Sequence, residues 1–315
     1  MKLKQISRLF REFGPGIALS SVCTSSFKAA APWKHKCILH YLKEKYGDLI
    51  SRYKQDKHET DNSASPMPGT IWTMWWQGAD NLPEVVSMCH ASVNMHRGTH
   101  PFKILTHDNY HEYVTLPEYI TDKVNSGAIS ITHLSDIMRF ALLSRHGGLW
   151  LDSTIFVTND IPEDIWEAEY YTVRRPLRTI TRNVAGERWT GFLQAAQKGN
   201  ILCRFVFDLL MEYWAAQRYL IDYFFVDYAL ELAREELPEC ERLLDSVPIN
   251  NRGVESLNPL LNSEWDAAAF ENLTSDTLFF KLTWKRKLEK ALHDRETFYG
   301  HLLREMLGSG PQLVI

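Results

Sequence analysis

Apolar residues recur at two periods along this chain, and the changes between them divide it. Ile6, Leu9, Phe10 and Phe13 fall at helical spacing in a basic N-terminal stretch, and Ile38, Tyr41, Leu42 and Leu49 repeat that spacing over 38–54. Both segments predict helices. The polar run QDKHETDNSASPMPG, 55–69, carries no period and reads as a linker. An apolar strand then starts abruptly at 70–76. A helix over 83–96 is opened by Pro83 and Glu84, and PFKILT, 101–106, gives a second strand. Short helical pieces are expected over 109–126, a long helix over 132–148, and one or two aromatic-rich helices over 200–236. A late strand, 277–284, precedes a C-terminal helical segment. Strands alternating with helices predict an α/β domain with a mixed, mainly parallel sheet and added helices. The expected divisions are an N-terminal helical extension (1–54), the linker (55–69) and one main domain (70–315).

The helix over 132–148 breaks the usual surface pattern. Thr132 is its expected N-cap and Gly147-Gly148 its stop. Leu134, Ile137, Met138, Ala141 and Leu142 form one apolar face, while Phe140 and Leu143 make the other side apolar too. A helix apolar nearly all round is buried, so Asp136 and Arg139 on it are not ordinary surface charges. Buried charges are costly unless paired or used. After the glycines comes Leu149-Trp150-Leu151, a buried-strand run ending in Asp152, and the apolar pattern resumes at Ile155-Phe156-Val157. Asp152-Ser153-Thr154 is thus a polar break in a strand–turn–strand unit. An acid at the C-terminal end of a parallel strand lies where α/β folds bind ligands. Taken singly, Asp136 and Arg139 also fit a plain i,i+3 ion pair, and Asp152 fits a turn acid. A diphosphate held through a hard divalent cation accounts for carboxylate and hydroxyl together.

Composition narrows the alternatives. The 315 residues are 45% hydrophobic, with 10 Trp, 13 Tyr and 15 Phe, which supports a large core rather than a disordered chain. A net charge of −4 does not suit a general nucleic-acid binder. The five cysteines form no C-x-x-C pair, so neither a zinc site nor a disulfide framework is indicated, and a reducing compartment is expected. No apolar run reaches the ~18 residues of a membrane span. The N-terminus makes a poor signal peptide. It reads as a helix packed on the main domain or as a basic amphipathic helix touching an anionic membrane. The expected location is therefore the cytoplasm, with peripheral contact at the inner membrane face.

The combination S-D-x-x-R, Gly-Gly, apolar strand and Asp resembles the sugar-nucleotide site of GT-A glycosyltransferases. It is most similar to the capsular polysaccharide synthesis family, related to the DXD-containing, mannosyltransferase-like transferases. Supporting segments are Ile71-Trp72-Thr73-Met74-Trp75-Trp76-Gln77-Gly78, Asn81-Leu82-Pro83-Glu84, Leu116-Pro117-Glu118-Tyr119-Ile120 and Ile129 to Asp136. The likeness spans about 70–165 and continues more weakly through Ile221-Asp222-Tyr223-Phe224 and Lys281-Leu282-Thr283-Trp284. One departure stands out: the second Asp of Asp-x-Asp is Thr154 here.

The resemblance implies a Rossmann-like nucleotide-sugar-binding domain of GT-A type, with an acceptor-side helical region over about 200–240. It implies a hexosyltransferase that uses a nucleotide diphosphate sugar, expected to be a UDP-sugar, and a glycan or lipid-linked glycan acceptor. The setting would be surface polysaccharide assembly and the reaction a retaining one. Asp136, Arg139 and Asp152 are the catalytic candidates, with Asp152 and Thr154 as ligands of Mn²⁺ or Mg²⁺. Trp75, Trp76, Gln77, Gly78, Asp108, His133, Ser135, Lys281 and Trp284 are the substrate- and nucleotide-binding candidates. Core packing is the alternative for Trp75 and Trp76, a turn acid for Asp108, and a cap or core histidine for His133. Lys281, Lys285 and Arg286 could stabilise a leaving diphosphate or form a solvated basic turn. Asp222 and Asp227 could line the acceptor site or belong to a packed helix. A degenerate, non-catalytic binding protein of the same fold is the competing function. A phosphate-handling enzyme of another fold is disfavoured because neither G-x-x-x-x-G-K-[ST] nor G-x-G-x-x-G is present.

Overall fold

The computed structural model describes residues 3–55 and 69–308, so the linker expected over 55–69 lies, apart from Gln55 and Gly69, outside the described residues. Helices α1 (Leu3–Phe13) and α2 (Pro15–Ser26) lead into α3 (Ala31–Lys45) and α4 (Gly47–Gln55). The single helix expected over 38–54 is therefore two, because the poor helix former Gly47 interrupts the repeat. The alternating segment follows: β1 (Ile71–Met74), α5 (Glu84–His96), β2 (Phe102–Leu105), α6 (Glu118–Asn125), α7 (Ile131–His146), β3 (Gly148–Leu151) and β4 (Ile155–Val157). The rest comprises α8 (Asp164–Glu167), β5 (Tyr170–Thr172), β6 (Leu193–Ala196), α9 (Ile201–Ala216), α10 (Phe225–Glu236) and β7 (Phe279–Lys281). A last helix spans Phe298–Gly308.

The central sheet has the order β2-β1-β3-β6-β5. β1 pairs in parallel with β2 and β3, while β6 runs antiparallel to both β3 and β5. Four of the five strands thus point one way, as the mainly parallel expectation requires. β4 leaves this sheet and pairs with β7 in an antiparallel ribbon that sets Ile155 opposite Lys281.

Strand alternation divides the core. Trp72, Met74 and Trp150 face a large cluster shared with α3, α4, α7, α9 and α10. Ile71, Leu149, Leu151 and Leu193 face a second cluster on the other side of the sheet. Leu9 and Phe13 of α1 are buried in the first cluster, whereas Phe10 is 56% exposed. Arg8 lies over the Tyr219 ring at 4.6 Å, so α1 packs on the loop between α9 and α10. No helix among the described residues is long and apolar enough to cross a membrane.

Helix α7 is buried as its pattern demands, but its N-cap is Ser130 rather than Thr132. Ser130 Oγ accepts the His133 amide at 3.2 Å, since a cap reaches the N–H three residues on. At the other end Gly147 and Gly148 both take positive φ. A Cβ on Gly148 would lie 2.2 Å from the Thr70 carbonyl oxygen. Only glycine allows α7 to turn straight into a strand pressed against β1.

Candidate functional site

The site begins where β1 and β3 end. The Asp152 amide donates to Phe192 O at 2.8 Å, and the Ile155 amide donates to Asp152 O at 2.9 Å, closing a tight turn. Ser153 Oγ donates to Met74 O at 2.8 Å and bonds Thr73 Oγ1 at 3.0 Å. The middle residue of Asp-Ser-Thr therefore pins the turn to β1. Thr154 O accepts the Leu282 amide at 2.9 Å, tying the turn to the end of β7.

An ionic chain crosses this junction. Lys281 Nζ donates to Asp152 Oδ2 at 2.7 Å, Trp150 Nε1 donates to Asp152 Oδ1 at 3.0 Å, and Arg139 Nη2 approaches the same oxygen at 3.3 Å. Arg139 Nη1 donates to Asp136 Oδ1 at 2.8 Å, and its guanidinium lies over the Trp150 ring at 5.1 Å. Burial on its own would raise the Asp152 pKa. Lys281 and Arg139 overcome that and hold it at about 2. The i,i+3 pair considered from sequence exists, but its arginine, only 2% exposed, also reaches Asp152 on the next strand.

His133 belongs to the same chain. Trp214 Nε1 donates to His133 Nε2 at 2.9 Å, and an indole N–H can only donate. The ring proton therefore sits on Nδ1, which faces Asp136 Oδ2 at 3.3 Å. His133 orients Asp136 and has no lone pair free to act as a general base.

These groups open into a cavity of about 730 Å³, within the usual range for small-ligand sites. Asp136, Arg139, Asp152, Thr154 and Lys281 line it, as do His133 and Ser135. Trp75, Trp76, Gln77 and Trp284 line it as well. Trp284 is 47% exposed and meets the edge of Trp75 at 5.7 Å between ring centroids, forming an aromatic rim. Trp75 Nε1 is buried without a protein partner among the described residues. Trp76 packs edge-on to His107 and against Tyr110, so part of its surface is used in the core. Lys285 also lines the cavity.

Two expected binding residues stand elsewhere. Gly78 is not in the lining; its φ of 96° serves the turn before the short 3-10 helix at Ala79–Asn81. The Asp108 side chain is 89% exposed, pairs with His107 at 3.3 Å and lies outside the cavity, because the chain turns at Thr106–Asn109 and carries it to the surface.

The opposite wall comes from the loop over 173–192 and the start of α10. Asp227 Oδ1 accepts Trp189 Nε1 at 3.0 Å and Oδ2 accepts Asn183 Nδ2 at 3.0 Å. Its nearest donors are neutral, it is 8% exposed, and it faces the cavity. Burial, reinforced by Asp136, pushes its pKa up to about 7. Asn183 and Trp189 escaped the sequence reading, since the loop between β5 and β6 has no period to mark it. Asp222 is not in the lining; it pairs with the buried Lys34 at 2.9 Å. Next to Lys34, His35 holds the wall from behind. Its Nε2 donates to Thr181 O at 3.0 Å, and its Nδ1 accepts Tyr228 OH at 2.8 Å. The N-terminal helices thus brace the far wall.

A divalent cation was expected on Asp152 and Thr154. As folded, these residues do not fit one. Asp152 is the lone carboxylate of the pair, and both its oxygens are engaged by cationic or N–H donors. Thr154 offers a neutral hydroxyl. Among the described residues no group of three or more His, Cys, Asp or Glu side chains is placed to hold a metal ion.

With this geometry in hand, three comparisons bear on the chain. The family model described as capsular polysaccharide synthesis protein matches residues 24–302, which takes in α3 and α4 as well as the sheet. A search among curated proteins finds no match. Among solved structures, the WbbM bifunctional glycosyltransferase in apo form aligns over 79% of this chain at 11% identity with a TM-score of 0.43. This chain spans about half of that protein, 51% of its length. The PaToxG glycosyltransferase aligns over 76% of this chain and 94% of its own at 10% identity, with a TM-score of 0.38.

Proposed function

The chain belongs to the capsular polysaccharide synthesis protein family, and from that premise we propose that it is a glycosyltransferase of GT-A type. It transfers a hexose from a nucleotide diphosphate sugar, a UDP-sugar in the first instance, to a glycan or lipid-linked glycan. The observation that carries this reading is the Asp136–Arg139–Asp152–Lys281 chain at the C-terminal ends of β1 and β3. Two cations and two carboxylates meet there in one cavity. Sugar transfer needs both. The departing diphosphate gathers negative charge, which a guanidinium and an ammonium fixed beforehand stabilise. The carboxylates accept hydrogen bonds from sugar hydroxyls and set the ring's position.

The same geometry supports retention of anomeric configuration. The His133 lone pair is taken by Trp214, and Asp152, held at about 2, is a poor base. Neither group on this wall is free to deprotonate an acceptor, and a retaining reaction gives that role to the departing phosphate. Asp227, pushed up to about 7 on the opposite wall, is the group that an inverting reaction would use instead. Exposed Phe10, Leu19, Phe27 and Trp33 on the N-terminal helices, with Lys28 and Lys36 exposed beside them, suit contact with an anionic membrane carrying a lipid-linked acceptor.

The test is a panel of nucleotide sugars incubated with the purified chain while released nucleotide is measured. One donor should be hydrolysed slowly, and Asp152→Ala should lower that release by roughly 10²–10³-fold. Equal release by the variant would overturn the site assignment.

A further inference from the structure

We infer that Lys281 stands where this class of site would otherwise hold a divalent cation, so that the chain binds its donor diphosphate without metal. The inference rests on the glycosyltransferase reading above and concerns how that same site neutralises phosphate.

Four observations converge. The Lys281 ammonium lies 2.7 Å from Asp152 Oδ2 and so occupies the position that a metal ligated by that oxygen would take. Mg²⁺ or Mn²⁺ bound to a carboxylate sits roughly 2.0–2.2 Å from its oxygen. Such an ion would be pressed against the ammonium and the Arg139 guanidinium, two like charges in a partly buried site. Next, the residue that would complete an acidic pair is Thr154, whose hydroxyl brings no charge to offset that repulsion.

Third, Lys281 is held rather than draped. Its backbone lies in β7 opposite Ile155, its amide donates to Val254 O at 2.7 Å, and its Nζ lies 5.4 Å from the centroid of the Phe192 ring. Yet its side chain remains 26% exposed and lines the cavity. An ammonium has three protons; one is spent on Asp152, and the others can meet phosphate oxygens. Fourth, the charges balance. Arg139 and Lys281 offset Asp136 and Asp152, and Lys285 adds a cation on the same lining with no acidic partner among the described residues. A diphosphate entering here meets two fixed cations, Arg139 and Lys281, and a third, Lys285, at the exposed rim.

The experiment measures binding of UDP and of GDP to the full chain by calorimetry, in EDTA and in millimolar Mn²⁺ or Mg²⁺. The expected result is that at least one nucleotide binds with the same affinity in all three buffers. Lys281→Ala should weaken that binding by roughly 10- to 100-fold, the worth of a charge-assisted contact, and Lys281→Arg should largely restore it. Thr154→Asp combined with Lys281→Ala should bind nucleotide only with Mn²⁺, because it rebuilds an acidic pair. Wild-type binding that disappears in EDTA and returns with Mn²⁺ would overturn the inference while leaving the glycosyltransferase reading intact. No binding of either nucleotide in any buffer would overturn both. The wild-type arms decide the matter even if a variant fails to fold.

Discussion

Asp152 and Asp227 face one cavity from opposite walls and carry opposite chemistry. Asp152 touches an ammonium and a guanidinium and is held at about 2; Asp227 touches an indole and an amide and is pushed up to about 7. Burial pushes both upward, though the Asp152 side chain is 29% exposed and Asp227 only 8%, and the partners decide the direction. The wall formed by α7, the β3–β4 turn and β7 is built to bear charge and suits a diphosphate. The wall formed by the 173–192 loop and α10 offers neutral donors and a carboxyl near its midpoint. That chemistry suits the hydroxyls of a sugar.

The sharpest way to break this contrast is Arg139→Ala. It removes the buried cation shared by the partly exposed Asp136 and Asp152, which keep only His133 and Lys281 as charged or polarisable partners. We expect a loss of about 1.5–3 kcal/mol in stability along with activity. Denaturant unfolding measures it; an unchanged midpoint would mean that the two acids are not held by Arg139. Asp152→Ala is expected to fold, because Lys281 is partly exposed and can be hydrated. It should lower nucleotide release by roughly 10²–10³-fold. Asp227→Asn should cost about tenfold or less in release from the donor alone, since the acid on that wall does not meet phosphate. Equal losses in the two variants would erase the distinction between the walls.

The pH dependence sharpens it further. The folded-state value of Asp227 lies above the unfolded one, near 4. Between about pH 4 and 7 the folded chain holds the extra proton, so stability falls as pH rises through that window. The slope is at most about 1.4 kcal/mol per pH unit. Asp152 has the opposite sign: its contribution is present above pH ~4 and is lost as pH falls toward 2. Thermal melts of Asp227→Asn from pH 4 to 8 should gain on wild type as pH rises. Parallel profiles would show that Asp227 does not titrate there. A structural effect, with little change in chemistry, should come from His133→Phe, which leaves Trp214 Nε1 and one Asp136 oxygen short of a partner. We expect about 1–3 kcal/mol of stability lost, with release reduced less than in Asp152→Ala.

The charged wall was largely legible in the sequence. Asp136, Arg139 and Asp152 lie within one helix–Gly-Gly–strand unit, where period and glycine placement fix the geometry locally. What the sequence did not disclose was the partner of each charge. Lys281 was visible only as one of three cations near a late strand, and its contact with Asp152 spans 129 positions. Thr132 read as the cap, whereas the Ser130 hydroxyl is the one that reaches the His133 amide. Asp108 looked like a site residue because it follows a parallel strand, yet the turn after β2 carries it outward. The far wall was hardly legible. β5 and β6 are short, the loop between them has no repeat, and His35 grips Thr181 across 146 positions.

The most direct test of the whole account is the position of the diphosphate itself. A crystal structure of the chain with a non-hydrolysable analogue of the donor selected from the panel would show it. The account predicts phosphate oxygens within hydrogen-bonding reach of Lys281 and Arg139, with the sugar directed toward Asp227. A diphosphate lying against Asp227 and Asn183, with Lys281 still paired only to Asp152, would contradict it.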